Sequence, residues 1–165
     1  NVHYHQNKVV RIDNVDFIIS TLWSHIRPED EFVVQQGMYD FRQILYNGRR
    51  FMPADFNAEH EKCLDFIKQS VADSTAERIV VVTHHLPSMA VVAPQHKGSL
   101  LNSAFATELG DFIADSRIDA WIFGHSHANI DATMGNTRLV CNQLGYVYYN
   151  EHLAGFYGKR FIEIT

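Results

Sequence analysis

The sequence predicts an α/β sandwich, and three observations predict it. Two apolar runs, Arg78 to Thr83 and Trp121 to Phe123, end abruptly in paired histidines, His84-His85 and His125-Ser126-His127. A segment with helical apolar spacing precedes each run, so the order is helix, strand, histidine loop, and the same again. The composition, 46% hydrophobic and 20% charged over 165 residues, suits one globular domain that buries a sizeable core without disulfides.

Lys8 to Ile12 and Asp16 to Thr21 are β-branched runs separated by Asn14, which predicts a hairpin. Ahead of them, His3 and His5 in Asn1-Val2-His3-Tyr4-His5 would share one face of a strand, where the readings are a metal pair or polar alternation on an exposed terminus. Leu22 to Phe51 is irregular but rich in aromatics, which predicts an ordered loop with a short helix, and its Glu29-Asp30-Glu31 run reads as a solvated face. Pro53-Ala54-Asp55 opens a helix, with Pro in the first turn and an acid at the positive end of the dipole. Phe56, His60, Cys63, Leu64, Ile67 and Val71 give it one apolar face, on which His60 is a core residue rather than a ligand.

The near-continuous β-branched stretch Arg78 to Thr83 predicts a central strand covered on both faces. A loop follows from Met89 to Leu101, and then Asn102 caps a helix that carries Phe105, Leu109, Phe112 and Ile113 inward. The strand at Trp121 ends at Gly124, read as the residue that lets the backbone turn sharply and expose the imidazoles. Asn129 to Thr133 and Thr137 to Cys141 flank Gly135-Asn136 as a second hairpin, and Lys159 to Ile164 reads as a last strand.

The formal charge of −5 disfavours a nucleic-acid footprint, which needs a basic face. No apolar run reaches the length of a bilayer span, so no membrane partner is expected. Cys63, in a helix, and Cys141, in a strand, read as buried structural thiols of a reducing, cytoplasmic compartment. The chain opens with Asn1 rather than Met, so a targeting segment can lie upstream.

In α/β sheets, ligand sites form at the carboxyl ends of strands, which is where both histidine pairs fall. If the two strands are neighbours, His84, His125 and His127 lie in one coordination sphere or two adjacent ones. Neutral imidazole suits transition metals, and carboxylates or water would complete the set. Asp131 is the nearest acid beyond the second pair. The plain alternative for loop histidines is solvation.

Thr83-His84-His85-Leu86-Pro87 and Gly124-His125-Ser126-His127, each after a hydrophobic strand, resemble the last two motifs of the calcineurin-like metallophosphoesterases. Thr21-Leu22-Trp23, Asp40-Phe41-Arg42, Asn102-Ser103-Ala104-Phe105, Thr137-Arg138-Leu139-Val140, Asn142 and Gly145-Tyr146 resemble a bacterial branch of that superfamily. The resemblance implies a four-layer α-β-β-α sandwich and a pair of divalent or trivalent transition metals (Mn, Fe or Zn) bridged by a hydroxide that attacks a phosphomonoester or phosphodiester. It implies His84 and His125 as ligands of the second metal, His127 as a ligand of the first, and His85 as a residue behind the ligands or beside the substrate. Either ring of the adjacent pair can turn inward, and His84 is preferred.

The family's Asp-x-His, Gly-Asp-x-x-Asp and Gly-Asn-His motifs do not occur in these residues. The expectation is that residues 1–165 form the C-terminal portion of a single metallophosphoesterase domain, inactive or nearly so alone, with sheet edges open to self-association. The other reading is a binding scaffold with a degenerate metal site. A metallo-β-lactamase-like hydrolase is disfavoured, since no His-x-His-x-Asp-His run is present. Arg42 and His96, with Arg49, Arg50 and Lys97, are candidate substrate contacts or ordinary surface cations.

Overall fold

The computed structural model describes residues 2–164. Asn1, which opens the segment weighed above as a terminal strand, and Thr165 lie outside the described residues.

Strands β1 (Lys8–Ile12) and β2 (Val15–Ile19) form the expected hairpin. Short helices α1 (Glu31–Gly37) and α2 (Asp40–Gln43) and a two-stranded ribbon, β3 (Leu45–Tyr46) with β4 (Arg49–Arg50), fill the irregular region. Helix α3 (Pro53–Asp73) starts where the proline predicts, and the Asp55 carboxylate accepts the Met52 backbone N–H at 3.0 Å. It buries Phe56, His60, Cys63, Ile67 and Val71 along one stripe. Then come β5 (Arg78–Val82), α4 (Gly110–Asp115), β6 (Ala120–Ile122), β7 (Ile130–Met134) and β8 (Thr137–Cys141).

The main sheet runs β1-β2-β5-β6-β8-β7. Its four inner strands are parallel, and the hairpin partners β1 and β7 are antiparallel at the two edges. An α/β fold with a mostly parallel central sheet is therefore observed. Ile79, Val80 and Val81 of β5 are fully buried, as a strand covered on both faces requires. The β7–β8 turn depends on Gly135, at φ +57°, where a Cβ would stand 2.7 Å from the Ala114 backbone of α4.

Two apolar cores result. One joins the sheet (Ile18, Val81, Trp121, Leu139) to Ile67 and Val71 of α3 and Ile113 of α4. The other gathers Ile26, Val34, Met38, Phe41, Phe51 and Phe56, with Trp23 against it, so the aromatic-rich stretch after β2 carries its own core. Cys63 and Cys141 are buried and unpaired, as expected.

Four expectations are corrected. The helix predicted from Asn102 is instead a 3-10 turn at Asn102–Ala104 and the separate six-residue α4. Leu86 N–H donates to Phe105 O at 3.1 Å, Thr107 N–H to Leu86 O at 3.1 Å and Leu109 N–H to Pro87 O at 3.0 Å, so these backbone groups serve the loop after β5 rather than a helix. Glu108 fixes the break by accepting Ser88 Oγ–H, Met89 N–H and Gly110 N–H.

No strand forms over 159–164; Arg160, Ile162 and Ile164 are half-buried in alternation with exposed neighbours, but the segment joins no ladder. Alternation records which side meets the protein, whereas a strand also needs a neighbour with free backbone groups. The acidic run is not wholly solvated: Asp30 is 1% exposed and bonded to Arg27 at 2.8 Å. His3 and His5 lie in irregular chain, with stacked rings 6.2 Å apart.

His60 is 2% exposed, and its Nδ1–H donates to Leu22 O at 3.1 Å. Burial pushes its pKa below the ordinary value of 6.5, outweighing that hydrogen bond. A base depressed in the folded state stabilises fully above its unfolded pKa and loses that contribution as pH falls through the folded one. His60→Asn, which keeps a donor near Leu22, is expected to flatten the acid limb of stability below about pH 6.5 by up to one proton, about 1.4 kcal/mol per pH unit. Urea unfolding across that range checks it, and identical slopes for parent and variant would remove His60 from the acid response.

Candidate metal centre

All four parallel strands end on the same side of the sheet, and each delivers part of the site from its carboxyl end. β2 leads to Trp23 and Ser24, β5 to His84 and His85, β6 to His125 and His127, and β8 to Tyr146 and Glu151. β5 and β6 are direct neighbours, with Val82 opposite Ile122. The separation of the two histidine pairs in the chain is thereby cancelled in space.

His125 Nδ1 and His84 Nε2 lie 2.9 Å apart. That distance suits one N–H···N hydrogen bond; it also suits two nitrogens that face one cation at about 2.1 Å each. Desolvation, with the charges of His84 and His127 adding to it, pushes His125 down to about 4. His84 is lowered by the same causes, desolvation first and His127 second. Both rings are therefore neutral at physiological pH, the state in which imidazole binds metal. Among the described residues, His125 Nε2 is buried without a hydrogen-bond partner.

His125 is clamped from both sides. Its ring stacks on His85 at 4.4 Å and meets Phe105 at 4.3 Å. His85 is 3% exposed, packs against Trp23 and Phe56, and places Nδ1 2.9 Å from Ser24 Oγ. Burial holds its pKa well below the ordinary value. His85 thus stands behind His125 rather than on an open face. Trp121 supports the loop by donating its indole N–H to Thr83 Oγ1 at 2.9 Å, and the same hydroxyl donates to His85 O at 2.9 Å.

The sharp turn lies one residue later than the sequence suggested. Ser126 N–H donates to Gly124 O at 2.9 Å across His125, whose φ is +70°, which makes a γ-turn of the rare, strained form. His127 is also left-handed, at φ +51°. Gly124 has no positive φ, and a Cβ there would meet only ordinary contacts from 3.5 Å outward. On the β2 side, Leu22 and Trp23 are left-handed as well, at φ +68° and +53°.

His127 reaches a different partner: its Nδ1 lies 2.8 Å from Glu151 Oε2. The same oxygen accepts the Tyr146 N–H, and the Tyr146 ring sits 4.5 Å from that of His127. The Tyr146 amide, with His127 adding to it, holds the Glu151 carboxyl below its ordinary value. Sequence reasoning missed Glu151 and Ser24, because neither stands in a motif. Asp131 pairs with Arg138 at 2.8 Å and Arg160 at 2.6 Å.

The predicted substrate residues have partners of their own. Arg42 covers the Tyr39 ring at 5.2 Å and donates to Gln36 O, and His96 is exposed in the 3-10 turn Pro94–His96. Arg49 pairs with Asp55 at 2.6 Å. Among the described residues, no group of three or more His, Cys, Asp or Glu side chains is assembled to hold a metal ion by itself. The neutral His84–His125 pair, with His127 beside it, fits one flank of a metal centre.

Paired imidazoles thus stand at neighbouring strand ends of a mostly parallel α/β sheet. The model of the calcineurin-like phosphoesterases matches residues 2–129, and the chain belongs to that family. An uncharacterized protein of Acanthamoeba polyphaga mimivirus is 27% identical over 157 residues, covering 88% of this chain and 55% of that protein. The chain thus spans about half the length of the curated relative it matches.

Ser24→Ala leaves His85 Nδ1 unpartnered in a buried site, at an expected cost of about 1–3 kcal/mol. Chemical denaturation of parent and variant measures it. Equal stabilities would show that His85 does not depend on Ser24.

Proposed function

We propose that the protein to which these residues belong hydrolyses phosphomonoesters or phosphodiesters with two divalent or trivalent transition cations (Mn, Fe or Zn). The carrying observation is the 2.9 Å approach of His84 Nε2 to His125 Nδ1 at the ends of adjacent parallel strands. His84 and His125 hold one cation and His127 the other. When bound, such a pair lowers the pKa of water and neutralises charge on the phosphoryl oxygens.

The chain's own residues keep the ligands ready. Desolvation keeps His84 and His125 unprotonated, His85 and Phe105 fix the His125 ring plane, and Ser24 fixes His85. Residues 1–165 form the C-terminal portion of one metallophosphoesterase domain, and the acidic ligands and the residue that protonates the leaving group lie in sequence outside it. The resemblance to a bacterial branch rests on the motifs from Thr21 to Tyr146, while the matched relative is viral.

The other reading is a binding scaffold with a degenerate metal site. Three imidazoles kept at strand ends, two of them desolvated, favour the enzyme. A negative net charge favours a small phosphate ester over nucleic acid. Among the described residues no helix is long and apolar enough to cross a membrane. Free buried thiols suit a cytoplasmic setting.

Calorimetric titration with Zn²⁺ or Mn²⁺ is expected to show binding that weakens at least tenfold in His84→Ala and in His125→Ala. The unaltered chain is expected to hydrolyse nitrophenyl phosphate at background rates. Undiminished affinity in both variants would sink the ligand assignment, and turnover by the unaltered chain would sink the division of ligands.

Self-association is the second expectation. β1 and β7 leave sheet edges, and Tyr146, Tyr148, Tyr149, Leu153 and Phe161 are exposed together in the last quarter of the chain. Light scattering should show mass rising with concentration, and a constant monomer mass at the highest concentration reached would refute it.

A further inference from the structure

Glu151 belongs to none of the family's motifs quoted above and lies beyond the residues that the family model matches. Its surroundings nevertheless form a holder for one carboxylate. Oε2 accepts the Tyr146 N–H and faces His127 Nδ1 at 2.8 Å. Gly145 makes room for it: at φ +65°, a Cβ there would stand 2.6 Å from Glu151 Oε2 and 2.7 Å from Glu151 Cβ. Any side chain at 145 would therefore displace the carboxylate.

The segment that carries Glu151 is tied to the strand ends on both sides. Asn129 donates from Nδ2 to Gln143 O at 3.2 Å and to Ala154 O at 3.0 Å. Asn142 donates to Tyr157 O at 3.0 Å and accepts the Tyr157 N–H at 3.1 Å. Asn129 follows His127 by two residues and Asn142 follows the end of β8 by one. One set of tie points that bracket Glu151 is thus anchored in the loop that carries His125 and His127, and the other just after β8. Asn150, left-handed at φ +59°, turns the chain immediately before it.

We propose that Glu151 is a positioning residue for His127, holding the proton on Nδ1 so that Nε2 is presented as the ligating nitrogen. A neutral imidazole carries one N–H, and a carboxylate only accepts, so a bond at Nδ1 places the proton there and the lone pair on Nε2. A carboxylate behind a histidine ligand also fixes the ring plane and raises its basicity. In the sequence Asp131 is the acid nearest the second histidine pair; in the structure a carboxylate stands behind His127 instead.

The inference rests on the metal-centre reading, and its test separates the two. The tautomer of His127 is read in the metal-free chain by ¹⁵N–¹H correlation of the imidazole ring at mildly alkaline pH. The expected result is Nδ1 protonated and Nε2 bare. In Glu151→Ala the signals should shift toward the Nε2–H form that free imidazole side chains prefer, and in Glu151→Gln, whose amide oxygen still accepts, the Nδ1–H form should persist. An Nε2–H tautomer in the unaltered chain overturns the proposal without any variant, and so does an unchanged tautomer in a folded Glu151→Ala.

Zn²⁺ titration on the same samples supplies the second readout. Affinity should fall about 10- to 100-fold in Glu151→Ala. Equal affinity in parent and alanine variant overturns the positioning role. If the unaltered chain shows no response at His84, His125 or His127, the metal-centre reading fails while the tautomer still decides whether Glu151 sets the His127 proton.

Discussion

Val82 and Ile122 stand opposite each other in a parallel ladder, and both chains leave the sheet within three residues of that pair. This shared register is the constraint on which the rest depends. It brings His84 and His125, 41 residues apart, to 2.9 Å between ring nitrogens. Slipping either strand by one residue would turn its apolar side chains to the other face and carry the loop with them. Complete burial of Val81 and Trp121 makes such a slip costly, so the core of the sheet holds the geometry of the loops above it.

The loops in turn carry strain that the packing maintains. Positive φ at His125 and His127, and at Leu22 and Trp23 on the opposing turn, costs of the order of 1–3 kcal/mol per residue. The return is position. Leu22 is fully buried, Trp23 lies against His85, and His85 lies against His125, so the strained turn after β2 is in mechanical contact with the strained turn after β6. Aromatic stacking and two buried hydroxyls, Ser24 and Thr83, keep both turns from relaxing.

Much of this was legible in the sequence because strands leave a direct mark. The β-branched run at Arg78 and the Gly135-Asn136 turn could be read from residue type alone, and the two histidine pairs could be placed at strand ends. The helix at Asn102 misled because Phe105 and Ile113 do pack inward, yet from two different pieces of backbone, the 3-10 turn and α4; the pattern reports burial and not the hydrogen-bond ladder. Gly124 misled for a related reason: a glycine beside a sharp turn invites the strain to be assigned to it, whereas the γ-turn centres on His125. Glu151 left no mark at all. It meets His127, 24 residues away, from the irregular segment after β8, and only the space at Gly145 hints that something must be received there.

The position of β8 bears on how the protein is made. It is inserted between β6 and β7, so the strand that closes the sheet beside the histidines is synthesised after both of its neighbours. A ribosome that has released the chain only as far as the His125-Ser126-His127 loop has exposed β6 with one side unpaired and the loop without its backing from Tyr146 and Glu151. The loop therefore gains that backing only when the hairpin folds back and places its second strand in the gap.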